Sequence, residues 1–299
     1  MSPGTAMARR LLFALVPLVA LALLFGRAAW EQRAPAALGS FGSGPEVVLV
    51  HGLGSNAEHW LPMARDLARD HHVVLTELAG HGIAGMTRPL TLSGAALALD
   101  RAIAEECDGP VVLVGHSVGG LVAAAEALRS PSRVRALVLV ETALKPQMTS
   151  EERAGLLEAL ERDYRGTLRE AYVPFGRDSA QGAALFAEAA RLDSTVLKDW
   201  IRLAVTEDLS DRIEHLTVPL LVVLSSRSWA DTESWNDCGA ALGYAHARNV
   251  VPVRVERTGH FVMLDRPQLL ADLVRRFSRE RTVSMLAQRT GEPLGATPD

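Results

Sequence analysis

The sequence predicts an α/β fold: a mostly parallel, twisted sheet flanked by helices, with a helical insertion near its middle. Three observations predict it. Apolar runs of strand length alternate with helical patterns along most of the chain. One of those strands runs straight into a G-x-S-x-G turn, and the interval 142–218 breaks the alternation with helical patterns alone.

The strand-length runs are Val47–Val50, Val73–Glu77, Val111–Val114, Ala136–Val140, Leu220–Leu224 and Val251–Val255, with a short edge strand expected near Leu38–Phe41. Helices are expected around 57–70, 92–107, 118–130, 234–247 and 267–280. Within 142–218 the helical segments are 149–163, 166–172, 179–191 and 194–207. There Leu156, Leu157, Leu160 and Tyr164 share one face while Glu and Arg take the other. This insertion leaves from the C-terminal end of a strand, the edge at which open α/β sheets bind ligands, so it reads as a cap over the site. The chain thus divides into an N-terminal segment and linker (1–36), a first core part (37–141), the cap (142–218), a second core part (219–280) and a polar tail (281–299) expected to fray.

Composition narrows the function. A chain of 299 residues can bury one large core with an insertion, and 48% hydrophobic with 22% charged residues is ordinary for a globular protein. A net charge of −4 gives no reason to expect nucleic acid as a partner. Cys107 and Cys238 make no metal-ligand spacing and read as free thiols. At the N-terminus, Arg9-Arg10 precede Leu11–Phe25, fifteen residues without a charge. That matches the charged and apolar regions of an export signal, and is short of the about 20 residues of a full span. Gly26 and Ala28 offer small residues for cleavage. Removal and retention as a membrane anchor both stay open; either way the protein is expected to be exported, anchored or released into the periplasm or medium.

The chemistry centres on Gly115-His116-Ser117-Val118-Gly119-Gly120. A serine between a buried strand and a helix sits on a strained bend that lifts its hydroxyl above the sheet, and glycines on either side avoid collisions there. Ser117 is therefore the candidate nucleophile. Val50-His51-Gly52-Leu53-Gly54 follows the first buried strand, and the peptide N–H groups of Leu53 and Val118 are the candidate oxyanion hole. The general base should be a late histidine. His260, in Thr258-Gly259-His260-Phe261, is the one that follows a late strand on a loop.

Taken together, these pieces, with Gly80-His81-Gly82 and Pro219 before its strand, resemble the α/β-hydrolase fold superfamily of the cap-bearing serine hydrolase type over residues 46–280. The resemblance implies a Ser–acid–His triad and no cofactor or metal. It covers esterases, lipases, C–C bond hydrolases and cofactor-free haloperoxidases. Epoxide hydrolases and dehalogenases resemble this fold too, but carry Asp where this chain has Ser117. Similar proteins usually place their acid just after the strand that Pro219 introduces, and there this chain has Arg227 and Ser228. Asp231 lies slightly later, 29 residues before His260, and is the first candidate. Glu141, 24 residues beyond Ser117 at the end of the preceding strand, is the alternative, since some relatives resemble that arrangement. Trp229, with Trp235 on the other side of Asp231, is a candidate for the acyl pocket. The expected activity is hydrolysis of a small-molecule carboxylic ester. C–C hydrolysis or perhydrolysis on the same triad is one alternative, and a binding protein on a decayed hydrolase fold is another.

Overall fold

A computed structural model describes the backbone of residues 37–86 and 88–290, and side chains between 39 and 279. The apolar run Leu11–Phe25 and most of the N-terminal linker lie outside these residues. Among the described residues no helix is long and apolar enough to cross a membrane.

Seven strands form one sheet: β1 (Ala37–Gly42), β2 (Glu46–Val50), β3 (His72–Thr76), β4 (Val111–His116), β5 (Val134–Val140), β6 (Leu220–Ser225) and β7 (Val250–Val255), in the spatial order β1-β3-β2-β4-β5-β6-β7. β1 is the antiparallel edge, and the other six are parallel. The central strands are apolar along most of their length because helices cover both faces. Residues alternate between them: Val48, Val50, Leu113 and Leu139 pack toward α2 (Leu92–Glu106) and α3 (Val118–Arg129). Val47, Leu49, Val112 and Val138 pack toward α1 (Leu61–Leu67) and the last helix. Each such fully buried Val or Leu contributes about 1.5–3 kcal/mol over its exposed state, so the strand signal is also the core.

The insertion folds as four helices in series: α4 (Ser150–Arg162), α5 (Tyr164–Tyr172), α6 (Ser179–Ala189) and α7 (Ser194–Thr206). Each is started by its own N-cap, Thr149, Asp163, Asp178 and Asp193, whose side chains accept backbone N–H groups of the first turn. Thr149 and Glu152 complete a reciprocal capping box. Such a cap is worth about 1 kcal/mol. Four in succession explain why one polar-rich stretch becomes four short helices instead of one long one. The cap is bolted to the core from several sides, including Trp200 Nε1 donating to the Ala79 carbonyl at 2.8 Å.

After the cap come α8 (Trp235–Ala241), the short α9 (Val262–Asp265) and α10 (Pro267–Thr290). Two expectations are corrected here. The helix expected over 57–70 is a 3-10 turn, Ala57–Trp60, followed by α1 ending at Leu67. The tail expected to fray from 281 continues α10 as far as Thr290. Polarity changes at 281, but the helix breakers Gly291 and Pro293 come later.

α3 also holds a titrating group. Glu126 is fully buried, and both its oxygens accept from Arg129, at 2.9 and 3.1 Å. Burial pushes its carboxyl from the ordinary 4.5 up to about 7, against the pull of Arg129. The folded state therefore keeps a proton that the unfolded chain releases. The stability this confers is full below the unfolded value and is lost as pH rises through about 7. The thermal midpoint of Glu126→Gln, measured against wild type from acid to neutral pH, is expected to gain on wild type as pH rises across that window. A difference that shrinks toward neutral pH would contradict this assignment.

Candidate active site

β2 and β4 are neighbours, yet the chain leaves β2 to one side and returns from β4 to the other, so the sheet's direction of winding reverses between them. A crevice opens above the carboxyl ends at such a point. The loop after Val50 and the bend after His116 both project into it. Ser117 has φ 52 and ψ −124, the left-handed strain expected of a nucleophile bend, and its N–H donates to Val140 at 3.0 Å. The flanking glycines are there for close approach: a Cβ on Gly115 would lie 2.6 Å from Gly120 Cα, and one on Gly119 would run into the His51 carbonyl. Leu53 and Val118 both line the same cavity as Ser117.

His260 lines that cavity too. Its Nδ1 donates to Glu141 Oε2 at 3.0 Å. Glu141 directly follows β5 with φ 50, so its side chain swings across the sheet edge toward β7's exit loop. The carboxylate is almost wholly buried, with Oε1 accepting from the Ser225 N–H and Oε2 from Ser228 Oγ at 2.7 Å. Burial pushes its pKa up, but the hydrogen bonds from His260, Ser225 and Ser228 outweigh this and hold it below the usual carboxylate value. Asp231, the first candidate for the acid, is instead exposed on the turns after β6. Those turns (Ser228 N–H to Ser225 O, Glu233 N–H to Ala230 O) carry it outward, while Ser228 points in and supports Glu141. Trp229 does not line the cavity either. Its indole N–H donates to Glu233 O at 2.9 Å, and its ring packs edge-on against Trp235.

With this geometry in place, comparison with known proteins gives a direct answer. A family model described as the Alpha/beta hydrolase family matches residues 47–273. The chain belongs to the alpha/beta hydrolase family. Polyketide synthase ThaQ of Burkholderia thailandensis is 32% identical over 196 residues, which is 61% of this chain but only 9% of that protein. The pimeloyl-(acyl-carrier protein) methyl ester esterase of Aeromonas salmonicida is 28% identical over 263 residues, 79% of this chain and 96% of the relative. Among solved structures, the esterase from Exiguobacterium antarcticum superposes with TM-score 0.71 over 83% of this chain and 99% of the other, at 18% identity, a likeness of fold.

In this alpha/beta hydrolase several positioning groups escaped sequence reading. His116 is fully buried and donates from Nε2 to the His260 carbonyl at 3.0 Å. Burial holds its pKa well below the ordinary imidazole value, so it acts as a neutral donor. The Asp265 side chain is buried. It accepts from the Gly259 N–H at 2.7 Å, fixing the histidine loop from below. The Leu53–Gly54 loop is gripped as firmly. Tyr172 of α5 donates to the Leu53 carbonyl at 2.7 Å, and the Gly54 N–H donates to His81 Nε2 at 3.1 Å, so the Leu53–Gly54 peptide is held at both ends. Burial keeps His81 down at about 3, which leaves that nitrogen free to accept. Behind it, buried His51 and Glu77 lie 3.0 Å apart. His59 bridges to Glu188 of the cap at 2.9 Å.

The cavity above Ser117 measures about 200 Å³. It is walled by Leu156, Leu160, Leu168, Ile201, Ala204 and Val205 of the cap, and none of its lining residues is Lys, Arg, Asp or Glu. The two thiols take no part in it: burial pushes Cys107 up to about 12 and Cys238 to about 11. At the opposite end of the sheet, ligand atoms of Glu46, His72 and Cys107 lie within 4.8 Å of one another and could hold a cation. The Glu46 carboxylate there already accepts the Asp108 and Gly109 N–H groups.

Proposed function

We propose that the protein hydrolyses carboxylic esters through an acyl-enzyme on Ser117, with His260 as base and Glu141 as the orienting acid. The observation that carries this reading is the His260–Glu141 hydrogen bond beside a strained serine in one cavity. With Nδ1–H committed to Glu141, the other ring nitrogen is the basic one. It takes the Ser117 proton as the hydroxyl attacks the carbonyl carbon, and Glu141 stabilises the imidazolium. The negative charge on the carbonyl oxygen is received by the Leu53 and Val118 amides. His260 then protonates the leaving alcohol, and water repeats the cycle to free the acid.

The lining supports a substrate class. An apolar wall without charged side chains favours an uncharged acyl chain. At about 200 Å³ the cavity is smaller than the roughly 300–1,000 Å³ of sites for drug-sized ligands, so the chain it accepts is of short to medium length. The apolar run Leu11–Phe25 fits an exported enzyme, tethered or released. Turnover of p-nitrophenyl acetate, butyrate, octanoate and palmitate tests the reading. Turnover efficiency is expected to peak at butyrate or octanoate and to collapse at palmitate, and Ala204→Phe, which narrows the cavity, moves the optimum toward acetate. Peroxide-dependent halogenation exceeding ester turnover would favour the perhydrolase alternative instead.

A further inference from the structure

We infer that Arg227 is a positioning residue: its guanidinium straps the cap segment Pro174–Arg177 to the core and thereby seats Phe175 on the His260 ring. The inference rests on His260 being the base of a Ser117 hydrolase. It starts from an oddity of sequence, an arginine where similar proteins usually carry their triad acid.

The guanidinium does not approach the Glu141 carboxylate. It turns to the cap instead. Nη1 donates to the carbonyls of Pro174 at 2.9 Å and Gly176 at 2.7 Å, and Nη2 donates to that of Arg177 at 3.0 Å. Three carbonyls of one short segment are thus gathered by one planar fork, a geometry that an ammonium on a flexible stem does not reproduce. The residue between them, Phe175, meets His260 twice. Its carbonyl accepts the His260 N–H at 2.9 Å, and its ring stacks on the imidazole with centroids 4.6 Å apart and planes 25° from parallel. Gly259 lets this happen, since a Cβ there would sit 2.7 Å from the Phe175 oxygen. Asp265 closes the clasp from the other side, accepting from Arg177 at 3.1 Å, from Gln181 at 2.7 Å and from the Gly259 N–H.

His260 is therefore fixed from two bodies. The core supplies Glu141 at Nδ1 and His116 at the carbonyl, while the cap supplies Phe175 at the N–H and over the ring face. Without the Arg227 strap the segment is free to lift, and the imidazole loses the wall that sets its plane relative to Ser117. Misplacement of a catalytic group by about 1 Å can cost on the order of 100-fold in rate.

The test compares full-length Arg227→Ala, Arg227→Lys and Phe175→Leu with wild type on p-nitrophenyl butyrate, together with thermal midpoints. In Arg227→Ala and Arg227→Lys, kcat is expected to fall by about 10–100-fold with KM little changed, and in Phe175→Leu by less. Added guanidinium ion at millimolar concentration should restore part of the lost kcat to Arg227→Ala, while ammonium should not. Wild-type kcat in Arg227→Ala overturns the strap. So does a loss confined to KM, or one that follows the thermal midpoint and resists guanidinium. If the Arg227 variants fail to fold, Phe175→Leu decides: unchanged kcat overturns the proposal. A parallel Ser117→Ala control separates the two readings. Turnover surviving in that control overturns the nucleophile assignment, whereas a silent control beside normal kcat in Arg227→Ala overturns the strap alone.

Discussion

Ser117→Ala is expected to lower ester turnover by on the order of 10⁶-fold, the loss seen when a triad nucleophile is removed, while the protein stays folded. In the proposed mechanism the Ser117 hydroxyl is the group that becomes acylated, and neither His116, buried and neutral, nor the two cysteines, which lie outside the cavity, would replace it. Alanine keeps the Cβ that already fits the bend at φ 52 and removes only the oxygen, so the strain of the bend is unchanged. Two measurements check this. Steady-state kcat reports the chemistry, and a fluorophosphonate probe, which reacts only with an activated serine, should label wild type at Ser117 and leave the variant unlabelled. Retained turnover would dismiss the acyl-enzyme.

The second large effect separates the two acids. Glu141→Gln is expected to cost about 10⁴-fold in kcat, because the amide can present N–H to Nδ1 and so force the wrong imidazole tautomer. Its shape is otherwise kept: with nitrogen in the place of Oε2 the amide oxygen still accepts from the Ser225 N–H, and the Ser228 hydroxyl can turn to accept from the amide. Asp231→Asn, in an exposed turn, should leave kcat at the wild-type level. The reverse ranking would return the acid to Asp231. Because the Glu141 carboxyl is held below its ordinary value, it stays ionised at and well below neutral pH, so it does not limit activity near neutrality.

Much of the architecture was legible because the same residues that make strands also make the core. Val111–Val114 is apolar at every position because both faces are covered, and no helix of that length would need such uniformity. The cap helices were legible through Thr149, Asp163, Asp178 and Asp193, each a local starting signal that depends on nothing distant. The bend at Ser117 and the loop at His260 were legible because strand, glycine and bend are neighbours in sequence. The carboxylate that meets His260 was not. It depends on where two strand ends lie relative to an imidazole more than a hundred residues away, and on the turns of 225–234, which face Asp231 outward and Ser228 inward. Asp265, His116 and Tyr172 were missed for a related reason. Each works through a backbone group of a distant loop, and no pattern of side chains in sequence records which carbonyl or amide will need a partner.

The site of Glu141 in the chain has an evolutionary corollary. Glu141 directly follows β5, immediately before the excursion into the cap begins. The whole excursion is therefore bracketed by the proposed chemistry, with Glu141 at its entrance and the Arg227 clasp just past its return. Gene segments encoding a different roof can be grafted between these two points to broaden or narrow the clientele of esters. Only grafts that present an aromatic to the imidazole and three carbonyls to the guanidinium would inherit a working enzyme at once.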